Sequence, residues 1–100
     1  MSRRLVIRAR AEADIHEAAL WYNEQTPGLG GAFLLEVDAA LQRAGENPYA
    51  FLRLCRRPEV RRVLMARFPY RIFFLLLPEA VIVIRVLHGA RHDREWQRRV

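Results

Sequence analysis

Residues 60–91 read VRRVLMARFPYRIFFLLLPEAVIVIRVLHGAR, and this stretch decides the fold. It holds three runs rich in Val, Ile, Leu and Phe: Val60–Arg67, Tyr70–Leu77 and Ala80–Leu87. Each has strand length, and β-branched and aromatic side chains suit a pleated, half-buried surface. Phe68-Pro69 separates the first two runs, and Leu77-Pro78-Glu79-Ala80 separates the last two. Pro78 fits the second position of a type I turn, so the last two runs are expected to pair as a hairpin. The stretch therefore predicts a three-strand antiparallel meander, closed by His88-Gly89-Ala90.

Upstream of the meander the hydrophobic period lengthens. Leu29, Phe33, Val37, Ala40, Leu41 and Ala44 form one helical stripe. Gly45 is a plausible terminator, and Asn47-Pro48 prevents resumption. Before it, Ile15, Ala18, Ala19 and Tyr22 form a second stripe from about Ala11, with Asp14 and Glu17 near the favourable N-terminal end of the dipole. At this spacing Trp21 and Tyr22 read as core, and Glu12, Glu17 and Glu24 as a solvated face. Thr26-Pro27-Gly28 breaks the pattern, with Thr26 as a cap and Pro27 at the first helical position of the next helix. Two helices joined this tightly predict an antiparallel hairpin that needs a sheet to cover its apolar face. Residues 4–8 alternate and read as an opening strand. Residues 46–59 read as a loop anchored by Tyr49 and Phe51. Asp93 to Arg99 read as a short tail helix with Trp96 packed inward. The expected architecture is α+β: strand, two-helix hairpin, three-strand meander, tail helix.

One hundred residues suit one domain, 1–100, that buries roughly 65% of its unfolded surface. The lone Cys55 cannot form an internal disulfide, and this favours a reducing cytoplasm. The longest apolar run, Ile72–Leu77, falls far short of the ~20 residues of a membrane helix. Net charge is +6, and all seventeen basic residues are arginine. So much guanidinium draws phosphates or carboxylate-rich surfaces.

Three segments resemble the ParE/RelE superfamily of type II toxin–antitoxin toxins. They are Ala13-Asp14-Ile15 with Trp21-Tyr22; Val60-Arg61-Arg62-Val63 followed by Phe68-Pro69-Tyr70-Arg71-Ile72-Phe73-Phe74; and Ile84-Arg85-Val86-Leu87-His88-Gly89-Ala90-Arg91. The last resembles the family's closing strand and its HGxR signature. The resemblance covers nearly the whole chain in the family's element order. It implies a toxin restrained by an antitoxin, which acts either on DNA gyrase without chemistry of its own (ParE-like) or as a ribosome-dependent messenger RNA endonuclease (RelE-like). In the first case a hetero-oligomer with the antitoxin and a gyrase partner are expected; in the second, the ribosome and mRNA. A third reading is a chain that has lost toxicity and survives as a binding module.

The resemblance places Arg62, Arg71 and Arg91 where RelE-like enzymes carry basic active-site residues, and Arg61 beside them as a further partner or phosphate contact. Alternatively, Arg71 and Arg91 hold the fold by pairing with carboxylates such as Asp14 or Asp93. Arginine stays charged and is a poor proton shuttle. His88 and His92 are the residues able to move protons near neutrality, although His88 reads first as a structural turn residue. Leu64 and Trp96-Gln97 stand where ribonuclease members carry further acid–base residues. Those departures favour the ParE-like branch. His88-x3-His92 suits zinc only on a helix, which Gly89 opposes, so neither metal nor cofactor is expected.

Overall fold

The computed structural model describes residues 3–89 and Trp96. β1 (Arg4–Ile7) leads into α1 (Ala9–Gln25) and α2 (Leu29–Glu46). A single 3-10 turn (Pro48–Ala50) precedes β2 (Leu52–Arg56), β3 (Glu59–Leu64), β4 (Tyr70–Leu76) and β5 (Ala80–His88). The sheet order is β1-β5-β4-β3-β2; β1 runs parallel to β5, and the remaining pairs are antiparallel. The expected opening strand, helical hairpin and meander are all present. The proposed tail helix lies outside the described residues except for Trp96, which is buried.

β2 is the main departure from expectation, because residues 52–56 pair with β3 where a loop was expected. Tyr49 is no core anchor either. It is 60% exposed, with the guanidinium groups of Arg3 and Arg61 over its ring at 5.4 and 5.2 Å. Phe51 is half-buried and meets Phe74 edge-on.

The helices cover one face of the sheet. Ala11, Ala18 and Ala19 of α1 and Phe33, Val37, Ala40, Leu41 and Ala44 of α2 pack against Val63, Ile72, Phe74, Val81, Val83 and Val86. Tyr22, Phe33, Phe68 and Tyr70 form an aromatic knot within this layer, with ring centroids 4.8–6.1 Å apart. Burial raises the Tyr22 hydroxyl above the usual tyrosine pKa of 10.0. Trp21, by contrast, is 54% exposed and not core. On the opposite face Val60, Phe73, Ile84 and Leu87 pack with Trp96.

The interhelix turn differs from the sequence reading. Thr26 closes α1, its N–H donating to the Tyr22 carbonyl, and α2 begins after Gly28, not at Pro27. Gly28 has φ +89°, a left-handed conformation that glycine adopts at little cost. Its N–H donates to Asn23 Oδ1 at 2.9 Å. Two residues later, a Cβ on Gly30 would sit 2.4 Å from the Ala19 carbonyl oxygen, so the helices cross closely there. At the far end, α2 runs through Gly45 and stops at Asn47.

Candidate nucleic-acid and partner interface

Residues paired across neighbouring strands share a face of the sheet. Arg62 pairs with Phe73, and Arg71 pairs with Leu64 on one side and Leu87 on the other. Phe73 and Leu87 belong to the cluster on the face opposite the helices. Arg62 and Arg71 are therefore diagonal neighbours on the sheet face opposite α1 and α2, as a phosphate cradle requires. Both side chains are half-buried, and Leu64 beside them is exposed.

Arg61 is on the other side, opposite Phe74. Its guanidinium is tied to Glu59 at 2.7 Å and donates to the Phe51 carbonyl at 2.8 Å. It fixes the β2–β3 edge and does not join the other two arginines. His88 also lies on the helix side. It pairs with Tyr70, and the two rings meet edge-on at 5.3 Å. Arg91, His92 and Asp93 lie outside the described residues.

Gly89 has a local physical reason. Its N–H donates to the Pro69 carbonyl, and a Cβ there would lie 3.1 Å from that oxygen and 3.9 Å from Arg71 Nε. A bare Cα lets the end of β5 close against the β3–β4 turn beside Arg71.

Sequence reasoning passed over Arg85. One extra residue, Ile84, sits in β5 opposite the Phe73–Phe74 step, and bulges of this kind redirect a neighbouring side chain. Arg85, 6% exposed, grips Asp14 of α1 through Nε to Oδ2 at 2.8 Å and Nη2 to Oδ1 at 3.2 Å. The Val86 N–H also donates to Asp14 Oδ2, at 2.9 Å. β1 ends its pairing at Val83, so beyond that point the Asp14 carboxylate replaces a strand as the neighbour of β5. The carboxylate expected to serve Arg71 or Arg91 is thus engaged by Arg85. In the same manner Glu36 of α2 accepts the N–H groups of Ala66 and Arg67, at 2.8 and 2.9 Å, and holds the β3–β4 turn.

Two concavities flank α1. A polar one of about 300 Å³ is lined by Arg10, Glu17, Trp21, Tyr70 and His88 around the Asp14–Arg85 pair. A larger, mainly apolar groove of about 610 Å³ lies between the helices at the end of β1. Ile7, Ala13, Ile15, Leu34, Val37 and Leu41 line it, with Glu12, His16 and Asp38 among its polar groups. No helix among the described residues is long and apolar enough to cross a membrane.

Comparison with known proteins agrees with this architecture. The family described as "ParE toxin of type II toxin-antitoxin system, parDE" matches residues 5–93. Toxin ParE2 of Mycobacterium tuberculosis, in strains CDC 1551 / Oshkosh and ATCC 25618 / H37Rv, is 30% identical over 90 residues, covering 89% of this chain and 84% of the relative. Among solved structures, a chain of the chromosomal ParDE system from P. aeruginosa superposes with a TM-score of 0.76 at 16% identity, over 87% of this chain and 96% of that one. A chain of the RelBE2 toxin–antitoxin complex from Mycobacterium tuberculosis superposes with a TM-score of 0.60 at 17% identity, over 88% and 99%. With the family matched across nearly its whole length, the chain belongs to the ParE toxins of type II toxin–antitoxin systems.

Proposed function

We propose that this toxin arrests growth by holding DNA gyrase on cleaved DNA, with no reaction of its own, and that a cognate antitoxin neutralises it. One observation carries the reading: Arg62 and Arg71 share the sheet face opposite α1 and α2, while His88 lies across the sheet against Tyr70. RNA cleavage through a 2′-hydroxyl needs a base and an acid within hydrogen-bond reach of the reacting oxygens. Two guanidinium groups can grip a phosphate but do not exchange protons near neutral pH. A cation pair with its nearest described imidazole on the wrong face suits holding a nucleic-acid backbone better than cutting it. The lone Cys55 and a gyrase target both fit a cytoplasmic protein.

The antitoxin's seat in this reading is the interhelix groove, whose apolar walls suit the face of an amphipathic segment. Incubation of the purified chain with gyrase, supercoiled plasmid and ATP tests the toxin activity. Linear DNA is expected to accumulate, and added antitoxin to prevent it. Unimpaired supercoiling with no linear product contradicts the proposal. Codon-positioned cuts in translated message would instead assign the RelE-like activity, and harmless expression with tight partner binding would mark a non-toxic remnant.

A further inference from the structure

Charge on this chain is segregated by element. Residues 11–47, which span most of the helical hairpin, carry seven carboxylates and a single arginine, Arg43; the other sixteen arginines and four carboxylates lie elsewhere. Two of the seven serve the fold, Asp14 on Arg85 and Glu36 on the β3–β4 turn. Glu12 and Asp38 do not. Both are exposed, both border the apolar groove, and neither is in an ion pair among the described residues. Asp38 accepts a long 3.4 Å bond from Gln42 on its own helix.

The groove's walls are two matched helical stripes. Ala9, Glu12, Ala13 and His16 recur at i, i+3, i+4 and i+7 on α1, and Leu34, Val37, Asp38 and Leu41 do so on α2. Leu34 is 45% exposed, while Val37 and Leu41 form a buried floor. A third helix laid between such ridges finds apolar contact along its centre line. It also meets one carboxylate from each wall, Glu12 and Asp38, neither of them in an ion pair among the described residues. The chain's own Trp96 packs on the opposite face of the sheet, away from this groove.

We propose that the groove selects an amphipathic helix of the antitoxin whose apolar stripe is flanked by arginine or lysine, set against Glu12 and Asp38. This rests on the groove being the antitoxin's seat, and it adds a sign to the recognition. The net charge of +6 draws acidic chains toward the molecule as a whole. The groove reverses that preference locally, and like charges at its rim discriminate against a helix with acidic flanks.

The test uses two synthetic amphipathic peptides with the same leucine spacing, one flanked by arginine and one by glutamate, titrated into the full chain. Each exposed pair contributes modestly, so the arginine-flanked peptide is expected to bind about tenfold more tightly at low salt. The preference should shrink at about 0.5 M salt and fall to within about twofold in Glu12→Gln/Asp38→Asn. Leu34→Ala should weaken both peptides alike. Because overall charge favours the acidic peptide, equal or reversed preference in the wild type overturns the charge rule. If Leu34→Ala still weakens both in that case, the groove remains a helix seat and only the rule falls. If neither peptide binds, or if Leu34→Ala converts a self-associated chain to monomers, the groove reading falls with it.

Discussion

Arg85 and Asp14 join the first helix to the last strand through two charge-assisted bonds, with a third from the Val86 N–H to the same carboxylate. Removing one member of a buried pair leaves the other without compensation, so Asp14→Ala should lower stability by about 3–5 kcal/mol in urea unfolding. Asp14→Leu/Arg85→Met should regain most of that loss, since well-packed apolar replacements are often neutral. The pair was only half legible in the sequence. Asp14 stood out as a carboxylate in search of an arginine, but the bulge that brings Arg85 to it is a property of strand register, invisible in composition. Tyr22 carries a second prediction at this scale. Its raised pKa means the fold favours the neutral phenol, so that share of stability is complete below the unfolded value near 10.0 and is lost as pH rises through the higher folded one. Urea midpoints measured from pH 9 to 12 should fall at the alkaline end, and Tyr22→Phe should reduce the fall.

Helices and inner strands were readable because burial imposes their periods: 3.6 residues on α2 and near-continuous apolar runs on β4 and β5, each buried on both faces. β2 was not read because it is a short edge strand of exposed or half-buried residues between two prolines, and its arginines resemble loop chemistry. The alternation of Leu52 and Leu54 with Arg53 was the signal available. The start of α2 was misplaced because Thr26-Pro27 has the chemistry of a helix start, whereas the turn is fixed by left-handed Gly28 and the Asn23 side chain. The close helix crossing gives the prediction for this scale. Gly30→Ala places a methyl against the Ala19 carbonyl oxygen, where backbone must move. It should cost about 1–3 kcal/mol and lower Tm by roughly 4–8 °C per kcal/mol, measured by thermal circular dichroism. Gly31→Ala, where a Cβ meets open space, should leave Tm unchanged or slightly higher.

The whole molecule has two contrasting sides: an acidic helical hairpin with an apolar groove, and the opposite face of the sheet, which holds half-buried Arg62 and Arg71. The sequence announced the arginines but not their division. Arg61 and Arg62 are adjacent in sequence, and strand alternation sends them to opposite faces, one to tie β2 and one, half-buried, to the face of the cluster of Val60, Phe73 and Trp96. His88 read first as a structural turn residue and otherwise as a proton carrier for the arginines, and the register with Tyr70 puts it on the other side of the sheet from Arg62 and Arg71. The central claim is the proposal that Arg62 and Arg71, on the sheet face opposite α1 and α2, grip a nucleic-acid backbone on gyrase without proton transfer. Its most direct test is the yield of linear plasmid from gyrase with ATP, compared among wild type, His88→Ala and Arg62→Met/Arg71→Met, whose methionines keep the packing of the arginine stems. With all three proteins confirmed folded, wild type and His88→Ala should give similar linear DNA, and the arginine variant about tenfold less. Full yield from the arginine variant, or loss of yield on removing His88 alone, would contradict the account.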